Sequence, residues 1–103
     1  MFAKQTKPEI IKIPCLYSHL TSSSRYLVRE KYIEHQDGLC WYCEVPLTEE
    51  PSNEVVVLDI DSDLFPEGFF THPIHLHHDH DTNLTIGAVH AHCNAVMWQY
   101  KGV

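Results

Sequence analysis

Apolar residues fall in short blocks separated by polar or turn-forming stretches, and the blocks differ in period. Tyr26, Leu27, Tyr32 and Ile33 recur near helical spacing, with Thr21-Ser22-Ser23-Ser24 before them as an N-cap and Asp37-Gly38 behind them as a stop. The spacing predicts a helix over 23–36. Leu39-Cys40-Trp41-Tyr42-Cys43 reads as a tight knuckle, and Pro46 with Pro51-Ser52-Asn53 marks a loop. The β-branched run Val55-Val56-Val57-Leu58 predicts a buried strand. A second strand is predicted over 74–78, a turn over 79–83 and a returning strand over 84–86. Gly87 then leads into a final helix over 88–100, in which Val89, Val96, Met97 and Tyr100 can pack inward. The order of helix, knuckle, strand, hairpin and helix indicates a small α+β fold. Residues 1–21 mix Pro8, Pro14, lysines and the short runs Ile10-Ile11 and Ile13, which suits an extended N-terminal arm lying on a domain of residues 22–103.

A chain of 103 residues is one domain by length, and a core that small gains from a staple such as a metal ion. No apolar run reaches the length of a signal peptide or a membrane span, so an intracellular, cytoplasmic protein is expected, with no membrane partner. The formal charge of -7 disfavours a nucleic-acid partner if taken as a whole. Its distribution changes the picture. Residues 1–31 carry six cations, Lys4, Lys7, Lys12, Arg25, Arg29 and Lys31, against two carboxylates, or +4; residues 32–103 carry Lys101 against twelve, or -11. Arg25, Arg29 and Lys31 on the first helix are therefore the candidate contacts to a nucleic-acid backbone.

Four cysteines are present. Cys40 and Cys43 form a C-x2-C pair that can turn two thiolates onto one ion, and His90-x2-Cys93 supplies the complement, because ligands at i and i+3 share one face of a first helical turn. The set predicts a closed Cys3His structural zinc site. A thioredoxin-like disulfide would need an adjacent βαβ pattern, which the chain lacks. Cys15 stands in an apolar setting as an inert thiol. Asp59, Asp61 and Asp63 alternate as in a calcium loop, but Leu64 occupies the glycine position and Phe70 that of the bidentate glutamate, so no such site is expected.

The densest polar cluster is His75-Leu76-His77-His78-Asp79-His80-Asp81-Thr82-Asn83, followed by His90-Ala91-His92-Cys93-Asn94. Over about residues 38–97, with Gln36-Asp37-Gly38-Leu39-Cys40 as the approach, the chain resembles the HNH (ββα-metal, His-Me finger) endonuclease superfamily, and within it the phage recombination endonuclease VII group. That group pairs an early C-x2-C with a D-H-D-H-like hairpin motif and a closing C-x2-C-N. Here His77 stands where the group commonly has the metal-binding Asp, a position that His usually occupies in the wider superfamily, and His90 stands where the group has its third cysteine. The segment 44–74 is longer and more acidic than the group's pattern.

The resemblance implies a zinc-stapled ββα-metal fold with an additional N-terminal helix, possessing endonuclease activity and, by affinity to its group, a phage-like origin. It implies that His77 and Asn94 bind a catalytic divalent ion, Mg2+ or Mn2+, with Asp79 or His80 as a candidate further contact, and that His78 is the general base. A neutral imidazole suits that role at pH 7. Adjacent strand residues point to opposite faces, so His77 and His78 can serve one site only where the strand breaks into its turn. His72, His75 and His92 are expected to be bystanders. The expected substrate is nucleic acid, DNA before RNA. The alternative is a catalytically silent zinc module that binds nucleic acid or a protein partner.

Overall fold

The computed structural model of the protein describes residues 11–102; Lys4, Lys7 and the rest of the arm before Ile11 lie outside the described residues. The elements run in the order α1 (Ser22–His35), α2 (Asn53–Val56), β1 (Ile74–His78), β2 (Thr85–His90) and α3 (Ala91–Lys101), with single 3-10 turns at Tyr17–His19 and Ser62–Leu64. The result is a small mixed domain in which α1 and α3 pack on a two-stranded antiparallel sheet. No helix among the described residues is long and apolar enough to cross a membrane.

Helix α1 begins where the polar cluster predicts. Thr21 accepts from the Ser24 N–H through its hydroxyl while the Ser24 hydroxyl accepts from the Thr21 N–H, a reciprocal capping box. Val28 and Tyr32, one turn apart, carry its buried seam. The helix stops at Asp37 and Gly38, both at positive φ, and the Gly38 N–H closes back on the Ile33 carbonyl.

Strand β1 spans the predicted residues, but β2 runs to His90, so the last helix starts at Ala91 rather than at residue 88. Gly87 explains the difference. It lies in the strand, where a Cβ would sit 2.8 Å from Gln36 Oε1 and 3.0 Å from Trp41 Cβ, so the glycine serves close packing and not a helix start. Ala88 and Val89, both fully buried, then cover the sheet. Of the four residues expected inside the last helix, Val96 and Met97 are buried there, Val89 is buried in β2, and Tyr100 is exposed, its hydroxyl donating to the Asp59 carbonyl.

The valine run is the clearest departure. Residues 55–58 form no strand; Asn53–Val56 is a helical turn, Val55 alone is buried and Val57 is 73% exposed. β propensity expresses itself only where a partner strand is offered. The edge of β2 at Ala88 is already taken: its N–H donates to Gln36 Oε1 (2.9 Å), and its carbonyl accepts from Gln36 Nε2 (2.9 Å) and from the Trp41 N–H (2.9 Å). Near its start β2 is flanked by the arm, with the Thr85 N–H on the Cys15 carbonyl and the Cys15 N–H on Thr85 Oγ1.

Gln36 thus ties α1 to the sheet edge. Gln36→Ala is expected to lower stability by about 1–3 kcal/mol, because it strips the buried Ala88 N–H of its acceptor. A urea midpoint that does not move would show that the contact is dispensable.

Candidate functional site

The knuckle, the end of β2 and the first turn of α3 bring Cys40, Cys43, His90 and Cys93 together, with one donor atom from each within 4.8 Å of the others. The knuckle is shaped by Glu44 at positive φ, whose N–H returns to the Cys40 carbonyl, and by the Tyr42 N–H donating to Cys40 Sγ. His90 Nδ1 lies 3.4 Å from Cys43 Sγ and 3.6 Å from Cys93 Sγ. A tetrahedral zinc with ordinary bond lengths separates sulfur and nitrogen ligands by about 3.5 Å, so the donor set fits that ion. The remaining ring nitrogen of His90, Nε2, donates to the Pro46 carbonyl at 3.1 Å, which leaves Nδ1 as the ligand atom. Donation from the Cys93 thiol pulls Cys40 down to about 4 and pushes Cys93 up. A dication would let all three sulfurs ionise. The cluster could therefore hold a metal ion, and its chemistry suits structural zinc.

A second constellation adjoins the cluster through Asn94, the residue after Cys93. In β1 the pleat puts His75 and His77 on one face, and the adjacent Leu76 and His77 are its two buried residues. Asn94 bridges them: His77 Nδ1–H donates to Asn94 Oδ1 at 3.2 Å, and Asn94 Nδ2–H donates to His75 Nδ1 at 3.1 Å. His75 Nε2–H continues the chain to the Phe69 carbonyl at 2.8 Å. These tautomers are the set that satisfies every partner with neutral rings. Burial holds His75 and His77 below the ordinary histidine value, in keeping with that neutrality.

The register of the hairpin shifts between His77 and His78, whose partners are Gly87 and Thr85. This irregularity is the strand break that two adjacent histidines need to share a site, and both rings line one cleft of about 520 Å³ together with His75, His80 and Asn94. The His78 ring stacks on Tyr17, centroids 3.9 Å apart and planes 7° from parallel, and lies 4.8 Å from the His80 ring. Arg25 and Arg29 of α1 line the same cleft, whereas Lys31 does not. Arg25 reaches the Tyr17 hydroxyl at 3.4 Å, and its buried Nε finds no hydrogen-bond partner among the described residues.

Asp79 commits Oδ1 to its own turn, accepting from the Asp81 and Thr82 N–H groups, and lines a neighbouring depression with His77 and His80. His75, expected to be a bystander, is hydrogen-bonded to Asn94; its two-residue spacing from His77 was the available signal. His72 is exposed but also lines the cleft, and His92 is turned to the Val55 carbonyl. Tyr17 carries no motif of its own, since its place beside His78 depends on a contact between residues far apart in the chain.

Comparison with family models, characterised proteins and solved structures finds no match to this chain. Functional inference therefore rests on the residues and their geometry. With the His77 proton moved from Nδ1 to Nε2, Nδ1 and Asn94 Oδ1, 3.2 Å apart, have close to the roughly 3 Å spacing of neighbouring donors around a small octahedral cation, so in that tautomer the pair could hold a divalent ion.

Proposed function

We propose that the protein is a metal-dependent endonuclease of the HNH kind, with a ββα-metal core, that hydrolyses phosphodiester bonds in nucleic acid, DNA in the first instance. The observation that carries this reading is the convergence of His77, His78 and Asn94 with Arg25 and Arg29 on one cleft. Asn94 directly follows Cys93, so the zinc cluster fixes the turn of α3 that presents it. Three thiols at that cluster suit a reducing, cytoplasmic compartment.

His77 and Asn94 would hold Mg2+ or Mn2+, which when bound supplies charge neutralisation at the phosphate and at the leaving 3′ oxygen. The chain's own residues do the rest. His78, kept neutral by burial, takes the proton of the attacking water, and the stack on Tyr17 fixes its ring plane. Arg25 and Arg29, which line the cleft, supply positive charge toward a phosphate. His75, through Asn94, holds the amide in one orientation.

Cleavage of supercoiled plasmid and of single-stranded DNA in Mg2+ or Mn2+ tests the proposal directly, and no cleavage of either in either metal would favour the silent zinc module that the acidic balance of residues 32–103 also suits. Joint replacement of Arg25 and Arg29 by Ala is expected to weaken DNA binding and to reduce the slope of log K against log salt by about two. An unchanged slope would remove these arginines from the interface.

A further inference from the structure

One part of the cleft has no place in hydrolysis. Between the acidic loop and β1 the chain places Phe65, Phe69 and Phe70, and α3 adds Trp98. Their rings form one cluster: Phe65 lies 4.7 Å from Phe69, 5.8 Å from Phe70 and 5.5 Å from Trp98. Burial does not account for it, since Trp98 is 41% exposed, Phe70 42% and the adjoining Leu64 47%. A contiguous exposed aromatic surface on a domain this small marks a binding surface.

The cluster is built onto the histidine network. The Phe69 carbonyl accepts from His75 Nε2–H, and the Phe69 ring meets the His75 ring edge-on at 4.6 Å. Phe65, Phe69 and Trp98 line the same cleft as His77, His78 and Asn94. Cationic residues line it too, Arg25 and Arg29 of α1. Aromatic faces and guanidinium groups in one cleft match a ligand that carries both a π-face and a backbone charge.

A paired duplex keeps its base faces inside the stack, so it cannot use the aromatic surface. A single strand can, and it also brings a lower charge density to a chain whose residues 32–103 carry -11. We infer that the cleft binds an unpaired nucleotide, with its base stacked on the exposed ring of Trp98, which Phe65 meets edge-on and supports, and its phosphate held toward Arg25, Arg29 and the histidines. The substrate class is then single-stranded nucleic acid, or the unpaired portion of a branched or gapped one. This rests on the nuclease reading and goes further by naming what the enzyme selects.

The test uses the full zinc-loaded chain carrying His78→Ala, so that binding is read without cleavage. Probes are a fluorescein-labelled mixed-sequence single-stranded DNA and the blunt duplex of the same sequence. The single strand is expected to bind at least about ten-fold tighter, and Trp98→Ala and Phe65→Ala each to weaken it about ten-fold while leaving the duplex nearly unchanged. Trp98→Phe, which keeps a stacking face, should retain most of the affinity. In a Trp41→Phe background Trp98 is the remaining tryptophan of the two in the chain, and the single strand should quench its fluorescence. Equal affinity for duplex and single strand, or no effect of the aromatic variants with no quenching, overturns the inference while plasmid nicking by the unmutated chain upholds the nuclease. Absence of both binding and nicking removes the two together. Self-association abolished by Trp98→Ala, with single-strand binding intact, would assign the aromatic surface to a second copy of the chain and also overturn it.

Discussion

His78→Ala is expected to slow phosphodiester cleavage by roughly two to four orders of magnitude, the range typical for removing a general base, while divalent-metal binding survives. The division follows from geometry. His77 and Asn94 face each other at 3.2 Å, and His78 lies past the register shift, stacked on Tyr17 rather than hydrogen-bonded into their network. His77→Ala or Asn94→Ala should instead weaken divalent-metal affinity, and their activity should partly return at high Mn2+. Burial first, then competition with the neighbouring His80 and His77 rings for a proton, holds His78 below its ordinary value of 6.5, with Asp79 acting the other way. It is therefore unprotonated at pH 7, and the rate should fall as pH drops through that depressed value, because a protonated ring cannot accept the water's proton. In His78→Ala this acid limb should disappear from the residual rate. Full activity in His78→Ala, or loss of zinc from Asn94→Ala, would show that the roles are wrongly divided.

Features carried by local sequence were the ones legible in advance. The Thr21 cap, the stop at Asp37-Gly38, the strand Ile74–His78 and the two x2 ligand pairs each depend on residues within a turn or two of one another. Val55 to Leu58 misled because β-branched composition records a preference for a pleated surface, not whether a partner strand exists. Gly87 misled for a related reason: a glycine before a helical pattern reads as a boundary, whereas here the Gln36 and Trp41 side chains require the missing Cβ.

The histidine cleft divides along the same line. His77, His78 and Asn94 were singled out by motif spacing, and the hairpin and α3 bring them to one cleft. Tyr17, Phe65, Phe69 and Trp98 carry no motif, since each acquires its place through packing between distant segments. His75 lies between these cases. Its period-two relation to His77 is visible, but the Asn94 amide that makes the relation matter belongs to another element.

Cys40→Ser is expected to prevent folding, and one equivalent of zinc per chain should survive purification of the unmutated protein. Structural zinc binding is coupled to folding with an apparent free energy on the order of 10 kcal/mol, comparable to the whole stability of an ordinary domain. The domain has little to set against that loss, because its sheet has two strands and its helices are tied together where the knuckle meets β2 and α3. Cys40 is 1% exposed, so a serine there would leave a hydroxyl that binds zinc poorly and is cut off from water. Chelation of the metal from the unmutated chain should give the same cooperative loss of far-UV circular dichroism. His90→Cys supplies the control: it keeps four zinc donors and gives up the imidazole contact to the Pro46 carbonyl, so it should remain folded and metal-loaded with a modest drop in midpoint. Metal analysis that finds no zinc in a well-folded chain would remove the ion from the architecture. Because Asn94 sits one residue beyond Cys93, the same result would also take away the reason its amide is held in place beside His77.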